Sequence, residues 1–594
     1  MALRSGHIIL PLAGLLLLIA LLGRWGSIST RPLIMSDGKG YYAYLPAIFI
    51  HNDLQFNFID LYEQQYYKPE QKVDFVNRTP AGNVNKYFVG TSVLMLPFFA
   101  LGHMVTFFGS ASPDGYSVSY QMAIGLGALT YLLLGCTLLW HTFRRMGFSA
   151  WGLAVALPGI VLASGLPYYA IFEPSMSHVY SFFAVSLFLW AGRWALDTGR
   201  LVPAVLTAGI LGLIMLIRPV NGVVLLALPV VATDLPHLRT ALRRLASPLH
   251  LGLAAFAFLL VCSIQPLIYI LQTGSPLVWS YGQEGFDFLH PHIKDVLFSF
   301  RKGLFIYTPI TFLGILGMVL HLRRGVYRAT VLLVALAIII WVMASWWMWW
   351  YGGSLGMRPF LEFMPLVAIG LLYLWDDHGP VVRGAVGFVV VALCVLGLNQ
   401  TYQYFQGILP FDGMDRQRYT DLFMRTGLDL VGYHQAYGDS QHYVAKDSIY
   451  LFNDMEQPHG WGNEQLIAQG DAFSGKRYFP LLDGNAYGLT YKDSVFRHCP
   501  QGFDLVRVEA MVKTDYPNTL AGIVAGLEGA DGSYFWALRP IRLQIKGNGW
   551  CRVSAVFRTG RVRSQNDVLS VYIMKTDHSE LMIDDMAVSM INER

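Results

Sequence analysis

The stretch KYFVGTSVLMLPFFALGHMVTFF, Lys86–Phe108, decides the fold. A membrane helix needs ~20 apolar residues, and this run has the length for one. Counted as a span, it sends Arg144 and Arg145 to the outer side. Left out, Arg4, Arg144, Arg145, Arg193, Arg200, Arg239, Arg243, Arg244, Arg323, Arg324, Arg328 and Arg383 all share one side. Basic residues gather on the cytoplasmic side of membrane proteins, so the second count is the physical one. Gly90 and Pro97 also suit a broken interfacial segment. We therefore read Lys86–Phe108 as a juxtamembrane helix or re-entrant turn.

Outward from it lie the spans: His7–Gly23, Val118–Trp140, Trp151–Ala170, Met176–Leu196, Pro203–Ile217, Pro219–Ala232, Leu249–Gln272, Gly303–His321, Ala329–Trp349, Pro359–Trp375 and Val381–Asn399. That predicts about eleven transmembrane helices. The pair flanking IRPVN is short and admits a shallow hairpin. The opening MALRSGHIILPLAGLLLLIALLGRW has a basic head without a clean small-x-small cleavage site, so it reads as an uncleaved first helix. The amino terminus is then inside and the carboxyl terminus outside.

Composition agrees. The 594 residues are 54% hydrophobic and 14% charged, beyond what a soluble chain carries. A net charge of +4 gives no reason to expect nucleic acid. Cys136, Cys262, Cys394, Cys499 and Cys551 have no metal-ligand spacing, although Cys499 and Cys551 share the outer side and could pair.

Beyond Gln400 the long apolar runs stop. In VRVEAMVK, Val506, Val508, Ala510 and Val512 point one way and Arg507, Glu509, Met511 and Lys513 the other. WCRVSAVFR and DVLSVYIM repeat the alternation, separated by KGNG and RTGR turns. This predicts an antiparallel β-sandwich. The expected domains are 1–399 in the membrane (with 24–117 as a long first outer loop), a connector at 400–442, and a sandwich at 443–594.

Two acids meet the outer face. Asp37 lies in SDGKGYYAYLP, just after the first helix, where Ser-Asp and Asp-Gly equally suit a cap or turn. Glu173 lies in FEPS, where an acid before a helix also favours its dipole. Together they can divide general-base and positioning roles. Cations on the same face are Arg358, Arg218, Lys86 and Lys39. Arginine there runs against the positive-inside trend. Headgroup contact would account for it, and so would a phosphate held as a leaving group. WWMWWY, which contains Trp350 and Tyr351, reads first as an interfacial belt and second as a sugar-stacking surface. His178 sits near a helix end within reach of Glu173, and Tyr41 follows Asp37 by one turn.

These pieces, in this order, resemble the GT-C superfamily of membrane glycosyltransferases, which includes protein O-mannosyltransferases and lipid A aminoarabinose transferases. The matching stretches are SDGKGYYAYLP, NKYFVGTSVLMLPFFALG, FEPSMSHVYSFF, GLIMLIRPVNGVVLLALP, KGLFIYTPITFLGILG and WWYGGSLGMRPFLEFMPL. The resemblance implies a polytopic α-helical membrane protein with Asp37 and Glu173 as catalytic acids. It implies Arg358, Arg218 and Lys86 on the donor phosphate, and Lys39, Tyr41, His178, Trp350 and Tyr351 near substrate. The donor would be a polyprenyl-phosphate-linked sugar and the acceptor a glycan, lipid or protein, with inversion at the sugar, in a bacterial inner membrane. Gly38 stands where many members carry a second acid, which weakens the expectation of a divalent cation. YLFNDMEQ, WCRVSAVF and DVLSVYIMKTDHSELMIDDMAVSMI resemble a carbohydrate-binding jelly roll, in which Asp454, Glu456, Asp584 and Asp585 could hold calcium. Rival readings are a transporter or flippase of lipid-linked sugars and a non-catalytic glycan-binding membrane protein. The spans hold few charges, which disfavours ion-coupled transport.

Overall fold

The computed structural model describes residues 3–25, 32–67, 75–79, 81–109, 112–282, 284–414, 416–426, 445–499, 502–516, 519–529, 532–542, 544–559 and 566–593. The later part of the expected connector, 427–442, lies outside them. The chain divides into two compact units. The first holds residues 1–405 and 414–419, and the second 406–413 and 420–594.

The first unit is helical. Among the described residues, eight helices are long and apolar enough to cross a membrane, or nine if one bent pair is a single span. The helices that position the site are α1 (Gly6–Gly23), α2 (Gly38–Pro46), α3 (Ile59–Tyr66), α4 (Gly90–Phe107), α5 (Val118–Arg145), α6 (Ala150–Leu162), α7 (Leu166–Ile171), α8 (Ser177–Thr198) and α9 (Leu201–Ile217). Each expected span is helical, but several are shorter than eleven full crossings require. The segment 151–170 is split into α6 and α7 by a break at Ala163–Gly165. After Arg218 the chain forms a 3₁₀ helix, Pro219–Val231. At ~2.0 Å per residue, thirteen residues reach roughly 26 Å, where an α-helix would reach about 20 Å.

Helix α4 passes the length and composition test for a span. Length and composition therefore place it with the spans, whereas the charge pattern of the sequence sets it apart. It runs antiparallel to the first half of α5: the Tyr131 hydroxyl donates to the Leu94 carbonyl (2.7 Å), and His103 Nδ1 lies 2.6 Å from the Tyr120 hydroxyl. Its first residue, Gly90, presses on the backbone of Leu216 and Ile217, beside Arg218. Val93, Met104, Val105 and Phe107 leave an apolar face exposed.

The two ends of the helical unit differ. At one end arginines bind carbonyls at helix termini. Arg193 donates to Val231 (2.6 Å), Arg328 to Ala232 (2.8 Å) and Arg383 to Trp375 (2.8 Å). Arg144, also at a helix end, donates to Phe148. At the other end lie Asp37, Glu173, Arg218 and Arg358.

The second unit is β-rich. Its strands follow the short hairpin β1 (Val76–Thr79) and β2 (Gly82–Asn85) of the first unit. They are β3 (Ala445–Asn453), β4 (Ala468–Gln469), β5 (Arg477–Leu481), β6 (Tyr487–Ser494), β7 (Leu505–Lys513), β8 (Gly522–Gly529), β9 (Gly532–Pro540), β10 (Cys551–Arg558), β11 (Val568–Met574) and β12 (Leu581–Glu593). One sheet has the order β10-β7-β12-β5-β4, with β3 also on β12; the other is β6-β11-β8-β9. All the pairs are antiparallel. Val506, Val508, Ala510 and Val512 are buried as the alternation predicts, together with Val553, Val571 and Ile583.

No disulfide joins Cys499 to Cys551, a pairing the sequence left open. Cys499 Sγ donates to the Gly502 carbonyl and Cys551 to its own turn. Asp584 accepts from the N–H groups of Phe473 and Ser474, and Glu456 from those of Lys476 and Arg477. Those carboxylates therefore order the loops around β5.

Candidate functional site

Ser36 adopts a left-handed turn (φ 53°), and Asp37 then stands at the head of α2. Its side chain makes no capping bond, which leaves the carboxylate available. Two glycines set its position by close approach. A Cβ on Gly38 would fall 2.0 Å from Ser175 Oγ, and one on Gly40 would fall 2.4 Å from the Tyr87 ring. Helix α2 is thus clamped between the loop that carries Glu173 and the residue that follows Lys86. The tyrosines complete the clamp: the Tyr44 hydroxyl donates to the Tyr87 carbonyl (2.7 Å), and the Tyr41 and Tyr87 rings lie 4.6 Å apart.

Arg358 closes the far side. Its Nη2 donates to Asp37 Oδ2 at 2.7 Å across 321 residues of chain. Turns at Tyr351, Gly352 and Gly356, all with positive φ, bring this segment back to the helix ends. Burial pushes the Asp37 carboxyl upward, but Arg358, the Tyr87 side chain and Lys86 outweigh it and hold the carboxyl below its usual range. Glu173 goes the other way. Burial raises it, and Arg358 with the Tyr168 and Ser36 hydrogen bonds only partly offsets that rise. Its Oε1 accepts from the Tyr168 hydroxyl (3.1 Å) and Ser36 Oγ (3.4 Å). Two acids at one site are therefore driven apart, one kept ionised and one biased toward the protonated form.

A cavity of about 580 Å³ opens on this group. Asp37, Tyr41, Lys86, Arg218, Tyr351 and Arg358 line one side. Trp279, Phe286, Phe288, Val342, Trp346 and Met348 form an apolar and aromatic wall. A second cavity, of about 430 Å³, shares Phe88, Pro219 and Trp279 with the first and continues along Leu216, Cys262, Pro266 and Leu277.

Six of the ten expected residues meet at this cavity. Glu173 stands one layer behind it, bonded to Ser36, which is on the wall. Three do not reach it, and each has a physical reason. Lys39 lies two residues from Asp37, about 200° around the helix, so it faces α3. There it is buried, pairs with Glu63 at 2.6 Å and lies over the Tyr67 ring. His178 is buried against Glu362, 3.1 Å from its Oε1. Trp350 turns outward under the Arg301 guanidinium, 3.7 Å from its ring, and Trp346 takes the place at the wall.

Sequence reading missed the loop between Pro276 and His292. It lines the cavity with Trp279, Tyr281, Glu284, Phe286 and Phe288. Glu284 pairs with Lys86 at 2.6 Å, and Ser280 Oγ donates to the Lys86 carbonyl at 2.9 Å. The Trp347 N–H donates to the Gly285 carbonyl at 3.0 Å, which ties the other edge. The available signal was an aromatic-rich segment between two spans on the same face as Asp37.

Among the described residues, no group of three or more His, Cys, Asp or Glu side chains could hold a metal ion. The Asp37 carboxylate already has a guanidinium as its cation.

No protein-family model matches the chain, and no curated protein sequence does. Solved structures give remote similarity. The Archaeoglobus fulgidus oligosaccharyltransferase in its apo form aligns over 98% of this chain and 95% of its own, at 11% identity and a TM-score of 0.39. Arabinosyltransferase EmbB from Mycobacterium smegmatis aligns over 90% of this chain and 67% of its own, at 11% identity and a TM-score of 0.32. The CBM22-1 xylan-binding domain of Paenibacillus barcinonensis Xyn10C aligns in full over 25% of this chain, at 13% identity and a TM-score of 0.18.

Proposed function

We propose that this chain is an integral membrane glycosyltransferase that moves a sugar from a polyprenyl-phosphate donor to an acceptor hydroxyl or amine outside the cytoplasm. One observation carries the reading: a single cavity joins the carboxylates of Asp37 and Glu284, the cations Lys86, Arg218 and Arg358, and an apolar aromatic wall. Such a cavity suits a ligand with a phosphate, a polar sugar and a hydrocarbon chain. The chain's apolar tail would follow the wall into the adjoining cavity beside Leu216 and Pro266.

In this mechanism the Asp37 carboxylate takes the acceptor proton as the acceptor oxygen or nitrogen attacks the anomeric carbon. The new bond forms on the face opposite the phosphate, so the anomeric configuration inverts. The bond from that carbon to the phosphate oxygen breaks, and the electron pair leaves with polyprenyl phosphate. Arg358, Arg218 and Lys86 meet the charge that develops there. Arg358 pairs with Asp37 in the resting site and turns to the leaving group when the phosphate enters, which frees the base. Glu173, through Ser36, fixes the start of α2 and with it the carboxylate. The acceptor would be a glycan, lipid or protein.

The test uses the purified full chain in lipid nanodiscs with a panel of polyprenyl-phosphate-linked sugars and saccharide acceptors. Wild type should release polyprenyl phosphate and glycosylate an acceptor. Asp37→Asn should lose roughly 100-fold or more while still binding donor. Transfer by Asp37→Asn at the wild-type rate would overturn the proposal.

A further inference from the structure

Each of the three cavity cations has a carboxylate partner, but the partners are not alike. Asp37 and Glu284 are side chains of the cavity wall, 27% and 26% exposed. An incoming phosphate can displace them. Glu362, the partner of Arg218, is 0% exposed and lies behind the wall. Its Oε1 accepts from Arg218 Nη1 at 2.9 Å and lies 3.1 Å from His178 Nδ1, while Oε2 accepts from the Asn221 amide. These partners come from three elements. Glu362 is in the 3₁₀ turn Arg358–Phe363, His178 is in the first turn of α8, and Asn221 is in the 3₁₀ helix after Arg218.

We infer that Glu362 is the positioning residue for Arg218, a permanent counter-ion that no substrate displaces. The inference rests on the reading of Arg218 as a phosphate ligand. A guanidinium has five N–H donors in a fixed plane, so holding one edge from behind aims the rest at the cavity. Arg218 also ends α9 in extended backbone (φ −153°, ψ 113°), where no helix fixes its side chain. Its direction then depends on the buried carboxylate. His178 and Asn221 in turn hold Glu362, which gives His178 a place two steps from substrate rather than in contact with it.

The test measures binding of a polyprenyl phosphate to the purified full chain in nanodiscs, for wild type, Arg218→Gln, Glu362→Gln and the double variant. A charge-assisted hydrogen bond that orients a ligand group is worth about tenfold in affinity, so each single variant should bind roughly tenfold more weakly. The double variant should bind no more weakly than Arg218→Gln alone, because Glu362 acts through Arg218. Losses that multiply in the double variant would overturn the inference, as would a Glu362→Gln protein that binds as tightly as wild type. Wild type that binds no polyprenyl phosphate would overturn the phosphate reading itself, and the inference with it. If Glu362→Gln does not fold, Glu362→Asp makes the same test with the charge kept and the reach shortened by one methylene. It should weaken binding only when Arg218 is present, and independent losses would again overturn the inference.

Discussion

At the scale of the residue, the informative contrast is between Asp37 and Glu173. Asp37 is held below its ordinary range, so the fold gains from its ionisation above pH ~4 and loses that gain as pH falls through the lowered value. Glu173 is raised by burial, so its contribution is full below its unfolded pKa and is lost as pH rises through the raised value. Glu173→Gln should therefore be more stable than wild type at neutral pH, with the difference shrinking toward pH 4. Thermal unfolding of both proteins across that window checks it, and a difference that grows on acidification would refute the assignment. Asp37 was legible in the sequence because an acid followed by Gly38 and Gly40, just after a membrane helix, is unusual. Lys39 was expected near substrate, and its turn toward Glu63 follows only once the stretch after Asp37 is seen to be helical. What no local pattern could show was that Arg358 would claim Asp37 from 321 residues away.

At the scale of the element, the loop from Pro276 to His292 and helix α4 carry the argument. The loop has neither helical nor alternating periodicity, so pattern reading passed over it; its contacts to Lys86 and Trp347 give it form only in the folded unit. The Lys86–Glu284 pair is part-exposed, which limits its worth to about 1 kcal/mol or less. Glu284→Gln frees Lys86 for the ligand, and polyprenyl phosphate binding should tighten by roughly two- to fivefold. Unchanged or weaker binding in a direct titration would count against Lys86 as a phosphate ligand. Charge sidedness in the sequence sets helix α4 apart from the spans, whereas its length and composition in the fold group it with them, and its seat was not legible at all. Gly90 lets its backbone approach Ile217 N to where a Cβ would stand 2.3 Å away. Neither backbone can yield, so Gly90→Ala should cost about 1–3 kcal/mol and lower transfer activity. An unfolding curve that overlays wild type would refute a close backbone contact at Gly90.

At the scale of the whole molecule, the chain joins a helical unit suited to lipid and a sandwich suited to water. Both were visible as a change in composition near Gln400. Their boundary was harder to place, because the last long helix runs on to Phe405 and short pieces at 406–413 and 414–419 are assigned alternately to the two units. Sidedness is testable in intact cells. A cysteine at Arg239, exposed at the basic end, should resist a membrane-impermeant thiol reagent until the cells are opened. One at Leu482, exposed in the sandwich, should react at once. Labelling of both from the same side would remove the topology on which the proposed chemistry depends.

The pairing of each wall cation with a carboxylate has a further consequence. A cleft with three bare cations would fill with chloride or inorganic phosphate from the surrounding medium and would have to be emptied before every turnover. Here the resting charges already cancel, so a small hydrated anion gains little by entering. A ligand that also removes a long hydrocarbon from water gains enough to break two of those pairings. Selection against the commonest competitors thus comes from the vacant state being content, and the discriminating feature of the true ligand is its grease as much as its charge.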